Sequence, residues 1–138
     1  MSASLKVKRT LWKRDKGRCF YCGESLTWDS KTVDHVIPKS KGGPHRAWNL
    51  VISCLPCNKT KGDSNPTPAQ LDMVLRRKIL HETRISIGQA IELCKKGENL
   101  PEAERLIQLQ REVSKMILIG SLPDDFMLVL KEMGGNNG

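Results

Sequence analysis

The chain has 138 residues, of which 38% are hydrophobic and 28% are charged. This length allows one domain or a small domain with an appendage, and a membrane-embedded protein is excluded because no apolar run approaches the roughly 18 residues that span a bilayer. The formal net charge of +8 lies entirely in residues 1–65, which contain 13 Lys/Arg and 5 Asp/Glu, whereas residues 66–138 contain 10 of each.

The basic N-terminal half suggests a polyanionic partner such as nucleic acid, because phosphates neutralised by Lys and Arg release counterions on binding. The alternative is that these charges only keep the N-terminal half soluble and bind no partner. The N-terminal sequence MSASLKVKRTLWKR contains no apolar signal-peptide core. We therefore expect a cytoplasmic protein whose five cysteines stay reduced, as metal ligands or core residues and not as disulfides.

The first 65 residues predict short elements separated by turns. Apolar residues among Lys and Arg predict a helix over residues 5–16, which Gly17 ends. A Cys-x-x-Cys turn, a strand over residues 31–38, a loop with Gly-Gly-Pro and a strand over residues 49–53 follow in that order. A second Cys-x-x-Cys precedes a short helix over residues 58–61. Prolines at positions 66 and 68 are expected to interrupt the secondary structure there.

The rest of the chain has a helical period. We predict helices around residues 71–80, 87–94 and 101–119 and a fourth after Pro123, before a disordered tail. Composition, charge and period all change near residue 65, so the predicted units are residues 1–65 and a helical extension over residues 66–138. The extension is expected to cover the first unit, to form a homodimer interface, or to bind a partner such as a phage packaging or restriction subunit.

Two Cys-x-x-Cys turns, Cys19/Cys22 and Cys54/Cys57, are separated by 31 residues. Such turns fit one tetrahedral Cys₄ zinc site with bonds of about 2.3 Å. Because four thiolates fill the coordination sphere, this Zn²⁺ is expected to stabilise the fold and not to catalyse. A redox dithiol is the alternative, but it is typical of a thioredoxin-like βαβ unit, which the pattern lacks.

Between and just after these turns lie Asp34-His35, Asn49 and Asn58. With them, the segment CFYCGESLTWDSKTVDHVIPKSKGGPHRAWNLVISCLPCNKTKGD resembles the HNH nucleases, in their Cys-x-x-Cys-flanked form with Asn in the third place. The resemblance covers roughly residues 14–63. It implies an α+β fold with a ββα-metal (His-Me finger) core, in which two strands, a wide loop and a short helix surround one catalytic ion.

The resemblance also implies the role of each motif residue. His35 would be the general base, and Asp34 and Asn58 would bind Mg²⁺ or Mn²⁺ through oxygen. Asn49 would tie the loop, with its backbone holding the His35 ring. The implied activity is hydrolysis of one DNA strand per site, which leaves 5′-phosphate and 3′-hydroxyl ends.

Five basic side chains near this motif are expected to contact the phosphates of double-stranded DNA: Lys39, Lys41, Arg46, Lys59 and Lys61. His45 is not at a motif position and is interpreted as a solvated loop residue, with a phosphate contact or an auxiliary ligand as alternatives. The alternative function is a non-catalytic, zinc-framed DNA-binding adaptor. A degenerate copy of this kind is expected to lose Asp34, His35 or Asn58, and all three are present.

Overall fold

The computed structural model describes residues 3–119. The elements in chain order are helix α1 (Leu5–Arg14), strand β1 (Thr32–His35), a 3₁₀ turn (Lys39–Lys41), strand β2 (Leu50–Ser53), and helices α2 (Leu55–Lys61), α3 (Pro68–Lys96) and α4 (Leu100–Ile119). The predicted α+β class is confirmed. The predicted helix after Pro123 and the tail lie outside the described residues. None of the described helices combines the length and the apolar character that a bilayer span requires.

The two strands form an antiparallel pair in which Thr32 lies opposite Ser53 and His35 lies opposite Leu50. Both strands are shorter than predicted. The ladder ends at His35 because the chain then turns into the 3₁₀ segment. A further backbone bond, from Val36 N to the Asn49 carbonyl (2.9 Å), follows directly after the ladder. Helix α2 begins two residues after β2, which completes a ββα unit.

Helix α1 packs on this unit through Leu11, which is fully buried together with Leu50 and Ile52. It ends at Arg14, two residues earlier than predicted, because Lys16 and Gly17 both have positive φ angles (54° and 63°). The left-handed conformation is costly for Lys and natural for Gly.

Arg14 is buried although the basic face of α1 would suggest a solvated residue. Its guanidinium donates to the carbonyls of Ala47 (2.8 Å) and Leu50 (2.6 Å) and pairs with Asp15 at 2.8 Å. Asp15 Oδ2 in turn accepts from Ile52 N at 2.9 Å. This ion pair therefore fastens α1 to β2 and is not available to a phosphate.

The helices predicted at residues 71–80 and 87–94 are one continuous helix, α3. Pro68 does not interrupt helix α3. It lies in the first turn, where a backbone N–H would have no partner within the helix, so its missing N–H costs nothing. Thr67 and Gln70 form a capping box around that start. The segment between residues 80 and 87 contains neither Gly nor Pro, so nothing in it ends the helix.

Helices α3 and α4 share a core that contains Leu80, Ile87, Ile91 and Val113. The N-terminal part of α3 also reaches the ββα unit, where Val74 is fully buried against Val36 and Val51. The predicted boundary near residue 65 stays a prediction. In this fold, however, the helical extension supplies a core residue to the unit before it.

Val74→Ala is expected to destabilise the protein by about 2 kcal/mol, because it removes buried methyl groups and leaves a cavity between α3 and the sheet. The matched control is Leu75→Ala, since the Leu75 side chain is 45% exposed. Chemical denaturation of both variants measures the difference. Equal midpoints for the two variants would contradict a shared core.

Candidate active site and metal cluster

The two Cys-x-x-Cys turns lie against each other. In the first, Gly23 N donates to the Cys19 carbonyl at 2.8 Å. In the second, Cys54 caps α2, and its Sγ accepts from Cys57 N at 3.4 Å. Each turn therefore directs two sulfurs to one side of the backbone.

The four sulfurs, from Cys19, Cys22, Cys54 and Cys57, all lie within 4.8 Å of one another. The Cys22 and Cys54 sulfurs are 3.9 Å apart. Tetrahedral zinc with 2.3 Å bonds requires sulfur separations of about 3.8 Å. The predicted cluster is thus assembled, and it can hold a metal ion such as zinc.

The thiols of this cluster differ in acidity. Burial raises the pKa of Cys19, but backbone hydrogen bonds, first from Cys54, outweigh it and bring the pKa down to about 7. The pKa of Cys57 is raised to about 12, first by its hydrogen bond with the Cys54 side chain and then by burial. Metal binding must remove such protons, so metal affinity is expected to fall as the pH falls.

Strand β1 directs Asp34 and His35 to opposite faces, as the alternation of side chains along a strand requires. On the Asp34 face, its Oδ2 accepts a hydrogen bond from the Tyr21 hydroxyl (2.5 Å) and lies 3.3 Å from Lys61 Nζ. Burial and this contact with Asp34 raise the pKa of Tyr21, so the phenol stays protonated. The carboxylate is therefore held by one hydroxyl and one ammonium group.

Asn58, on helix α2, lies on the same side of β1 as the Asp34 side chain. Its Nδ2 donates to Thr32 Oγ1 at 3.0 Å, two positions before Asp34 on β1. Among the described residues no hydrogen bond is made by the other amide atom, Oδ1, so this oxygen is available to a ligand. The structure thus brings the two predicted ion ligands, Asp34 and Asn58, to one side of the strand.

His35 faces a cavity of about 270 Å³ that two lysines and two histidines line together with apolar groups and a threonine. The residues that line it are Ala3, Lys8, Lys31, Thr32, Val33, His35 and His45. His35 Nε2 lies 3.2 Å from His45 Nδ1. Burial and the neighbouring His45 lower the pKa of His35, which favours the neutral form of its imidazole.

Asn49 is fully buried and ties the loop between the strands. Its Oδ1 accepts from Ile37 N at 2.9 Å, while its Nδ2 donates to the carbonyls of Ile37 (3.1 Å) and Pro44 (3.0 Å). Its own carbonyl accepts from Val36 N. The side chain therefore ties the loop between the strands. Among the described residues, the hydrogen-bond partner of the His35 ring is His45.

Comparison with known proteins agrees with this geometry. The family model of the HNH endonuclease matches residues 19–64, which contain both cysteine turns, both strands and α2. These residues are an HNH domain. The match leaves the first 18 residues and the helical extension outside it.

The HNH domain is also similar to short stretches of two curated proteins, both called CRISPR-associated endonuclease Cas9. The protein from Corynebacterium diphtheriae is 33% identical over 60 residues, which are 39% of this chain and 6% of that protein. The protein from Actinomyces naeslundii is 34% identical over 47 residues, 33% of this chain and 4% of that protein. The chain thus spans only a small fraction of these relatives. No solved structure matches it significantly.

Of the five predicted DNA contacts around the HNH domain, four are exposed: Lys39, Lys41, Arg46 and Lys59. Lys61 differs, because its side chain is only 10% exposed. Its ammonium donates to the His35 carbonyl (2.8 Å) in addition to its pairing with Asp34. In this arrangement Lys61 links α2 to β1, and its role as a phosphate contact stays a prediction.

Sequence reasoning missed three residues of the site. Tyr21 lies inside the first Cys-x-x-Cys, and its position there was its only signal. Lys31 immediately precedes β1, where strand alternation places it on the His35 face. His45 was interpreted as a solvated loop residue, with a phosphate contact or an auxiliary ligand as alternatives. Its contact with His35 had no signal, because the ten-residue separation crosses a loop without any period.

Asn49→Ala is expected to destabilise the HNH domain by roughly 3 kcal/mol, because buried backbone groups of Ile37 and Pro44 lose their partners. The matched control is Asn65→Ala, which removes an exposed amide whose Oδ1 accepts from Lys41 Nζ. Thermal unfolding of both variants, with the zinc content checked, measures the effect. A loss no larger than that of the control would show that Asn49 does not hold the loop.

Proposed function

We propose that the chain is a metal-dependent DNA endonuclease that hydrolyses phosphodiester bonds with His35 as the general base. One observation carries the proposal. The segment that matches the HNH family contains Asp34-His35, Asn49 and Asn58 together, and His35 borders a cavity lined by cations. The motif supplies the chemistry, and the cavity supplies access for a phosphate.

The proposed base is His35 because its imidazole is neutral and next to open space. A lowered pKa favours the unprotonated ring at neutral pH, which can accept a proton from water. Within residues 3–119, the cavity is lined by Lys8 and Lys31 and by no carboxylate. An anionic phosphodiester would therefore be attracted there, next to the ring.

The proposed ligands of the divalent ion are Asp34 and Asn58, whose oxygens suit Mg²⁺ or Mn²⁺. The donor atoms suit such an ion: Asn58 Oδ1 makes no hydrogen bond among the described residues, and the contacts of the Asp34 carboxylate with Tyr21 and Lys61 are both made by Oδ2. The ion would have to displace the Lys61 ammonium from Asp34 or bind beside it. When bound, the ion would stabilise the charge on the phosphate and on the departing 3′-oxygen.

Asp34 and His35 act on one phosphate in this proposal although they lie on opposite faces of β1. β2 pairs with one edge of β1, and no described strand pairs with the other. A phosphate at that unpaired edge is accessible from both faces. Basic side chains that contact the DNA backbone would position double-stranded DNA there without reading its bases. The exposed ones are Lys39, Lys41, Arg46 and Lys59.

One site of this kind cleaves one strand, so the proposed product of a monomer is a nick with 5′-phosphate and 3′-hydroxyl ends. The proposed metal of the cysteine cluster is Zn²⁺, with a structural role. A homodimer or a phage or restriction partner bound through residues 66–138, and a cytoplasmic location, remain proposals from the sequence.

The test uses supercoiled plasmid and zinc-loaded protein with Mg²⁺, with Mn²⁺ or with neither. Nicked, open-circular plasmid is expected to accumulate before linear plasmid. Neither product should form unless a divalent ion is added. Omitting the ion is preferable to chelation, because a chelator would also remove zinc. Cleavage without any added divalent ion, or linear DNA as the first product, would contradict the proposal.

A non-catalytic DNA-binding adaptor is the second candidate. The observation that favours it is the engagement of Asp34 by both Tyr21 and Lys61, which leaves its Oδ2 occupied. Tight binding of duplex DNA, with no cleavage under Mg²⁺ or Mn²⁺, would favour the adaptor over the nuclease.

A further inference from the structure

We infer that His45 is a positioning residue that holds the His35 ring in one orientation and one tautomer, with Nε2 protonated and Nδ1 left as the proton acceptor. The inference rests on the proposed function for its catalytic consequence. The tautomer itself is a property of the folded protein and can be measured without any cleavage.

The atoms that meet decide the tautomer. His35 Nε2 and His45 Nδ1 are 3.2 Å apart, a hydrogen-bond distance that needs one donor and one acceptor. The Nε2–H tautomer is the more stable form of neutral histidine in water. If both rings adopt it, His35 Nε2–H donates to the unprotonated His45 Nδ1. The reverse bond would require both rings to adopt the less stable form.

The consequence for His35 differs between these two cases. When Nε2 donates, Nδ1 keeps its lone pair and can accept a proton from water. When Nε2 accepts, Nδ1 carries the proton, and neither ring nitrogen can act as a base. The hydrogen bond to His45 thus selects the form of the ring that is competent for general-base catalysis.

The loop that carries His45 is held in place from the strand side. Asn49 Nδ2 donates to the carbonyl of Pro44, the residue before His45, and to that of Ile37, just after β1. The neighbouring Gly43 packs so closely that a Cβ there would lie 1.8 Å from the Ile37 carbonyl oxygen. Although the His45 side chain is exposed, its backbone is therefore fixed relative to β1.

In this arrangement His35 Nδ1 takes up the proton that the attacking water loses. The attacking water gives a proton to His35 Nδ1 as its oxygen bonds to phosphorus, and the bond from phosphorus to the 3′-oxygen breaks. The resulting imidazolium keeps Nε2–H donated to His45 Nδ1, which spreads its charge. Solvent at the cavity then removes the proton from Nδ1 and restores the starting form.

The first test is ¹⁵N NMR of histidine-labelled, zinc-loaded protein. Two-bond ¹H–¹⁵N correlations distinguish the tautomers, and His35→Ala and His45→Ala assign the rings. In the wild type we expect His35 as the Nε2–H form. In His45→Ala we expect the His35 signals to move towards a tautomer average. An Nδ1–H form in the wild type, or an unchanged pattern in His45→Ala, would overturn the inference.

The second test separates positioning from phosphate contact by kinetics on plasmid. His45→Ala is expected to lower kcat by about tenfold to a hundredfold with KM unchanged, by analogy with the loss that follows removal of the hydrogen-bond partner of a metal-bound histidine. His45→Asn is expected to recover most of the kcat, because its Oδ1 can accept the same hydrogen bond. Arg46→Ala, the exposed neighbour, should instead raise KM and leave the NMR pattern unchanged.

The outcomes separate the two proposals. An increase in KM with unchanged kcat in His45→Ala would make His45 a phosphate contact and overturn its positioning role. An inactive wild-type protein under every divalent ion would overturn the proposed function, and the NMR experiment would still decide the tautomer.

Discussion

Cys54→Ala is expected to unfold the HNH domain and to abolish stoichiometric zinc binding. Cys54 is 6% exposed, caps α2 and lies next to the other three sulfurs, so its loss both opens the metal site and removes a helix cap. Structural zinc contributes an apparent 10–16 kcal/mol, roughly, in zinc-finger peptides. That equals or exceeds the total stability of a typical domain, about 5–15 kcal/mol.

The control for this prediction is Cys94→Ala. The exchange is chemically the same, but Cys94 lies on α3 outside the cluster. Zinc content by mass spectrometry and thermal unfolding by circular dichroism compare the two variants. One equivalent of zinc and an unchanged melting temperature in Cys54→Ala would show that the cluster does not hold a structural ion.

His35→Ala is expected to slow plasmid nicking by roughly 10² to 10⁴-fold, the contribution typical of a positioned general base. Duplex affinity should change little, because in the proposed function the phosphate contacts come from the exposed lysines and Arg46 and not from His35. Initial rates at saturating protein measure the loss, and a gel-shift assay measures the affinity.

His81→Ala is the matched control for the catalytic prediction. It removes a partly buried histidine on α3, outside the HNH domain, and should leave the nicking rate near that of the wild type. Both variants need a check of zinc content and melting temperature. Equal rates for His35→Ala and the wild type would remove His35 from the mechanism.

The predictions of the cysteine cluster and of the HNH motif depended on short spacings. A Cys-x-x-Cys turn places two sulfurs on one side of the backbone through local geometry alone, so the pairing of the two turns was the only step that needed the fold. The ββα order followed from strand and turn signals between them. Element ends were less accurate: α1 stops at Arg14 because of positive φ at the two residues that follow Asp15.

The helical extension shows a different limit. Periodicity predicted helices in the right places but divided α3 in two and treated Pro68 as a breaker, because the capping role of Thr67 and Gln70 was overlooked. Nothing in the pattern indicated that Val74 would complete the core beside Val36 and Val51. The period marks one apolar face and does not say which neighbour covers it.

By itself, the sequence determined the metal-binding turns, the α+β class and the residues that identify an HNH domain, since each depends on residue type and on near neighbours along the chain. Only the tertiary structure decided that His45 meets His35, that Lys61 pairs with Asp34 and that the extension packs into the core. Those contacts join residues ten or more positions apart, across a loop for His45 and across several elements for Lys61 and Val74. They exist because the buried Asn49 and the packed helices bring distant backbone segments together, and local propensity contains no information about that.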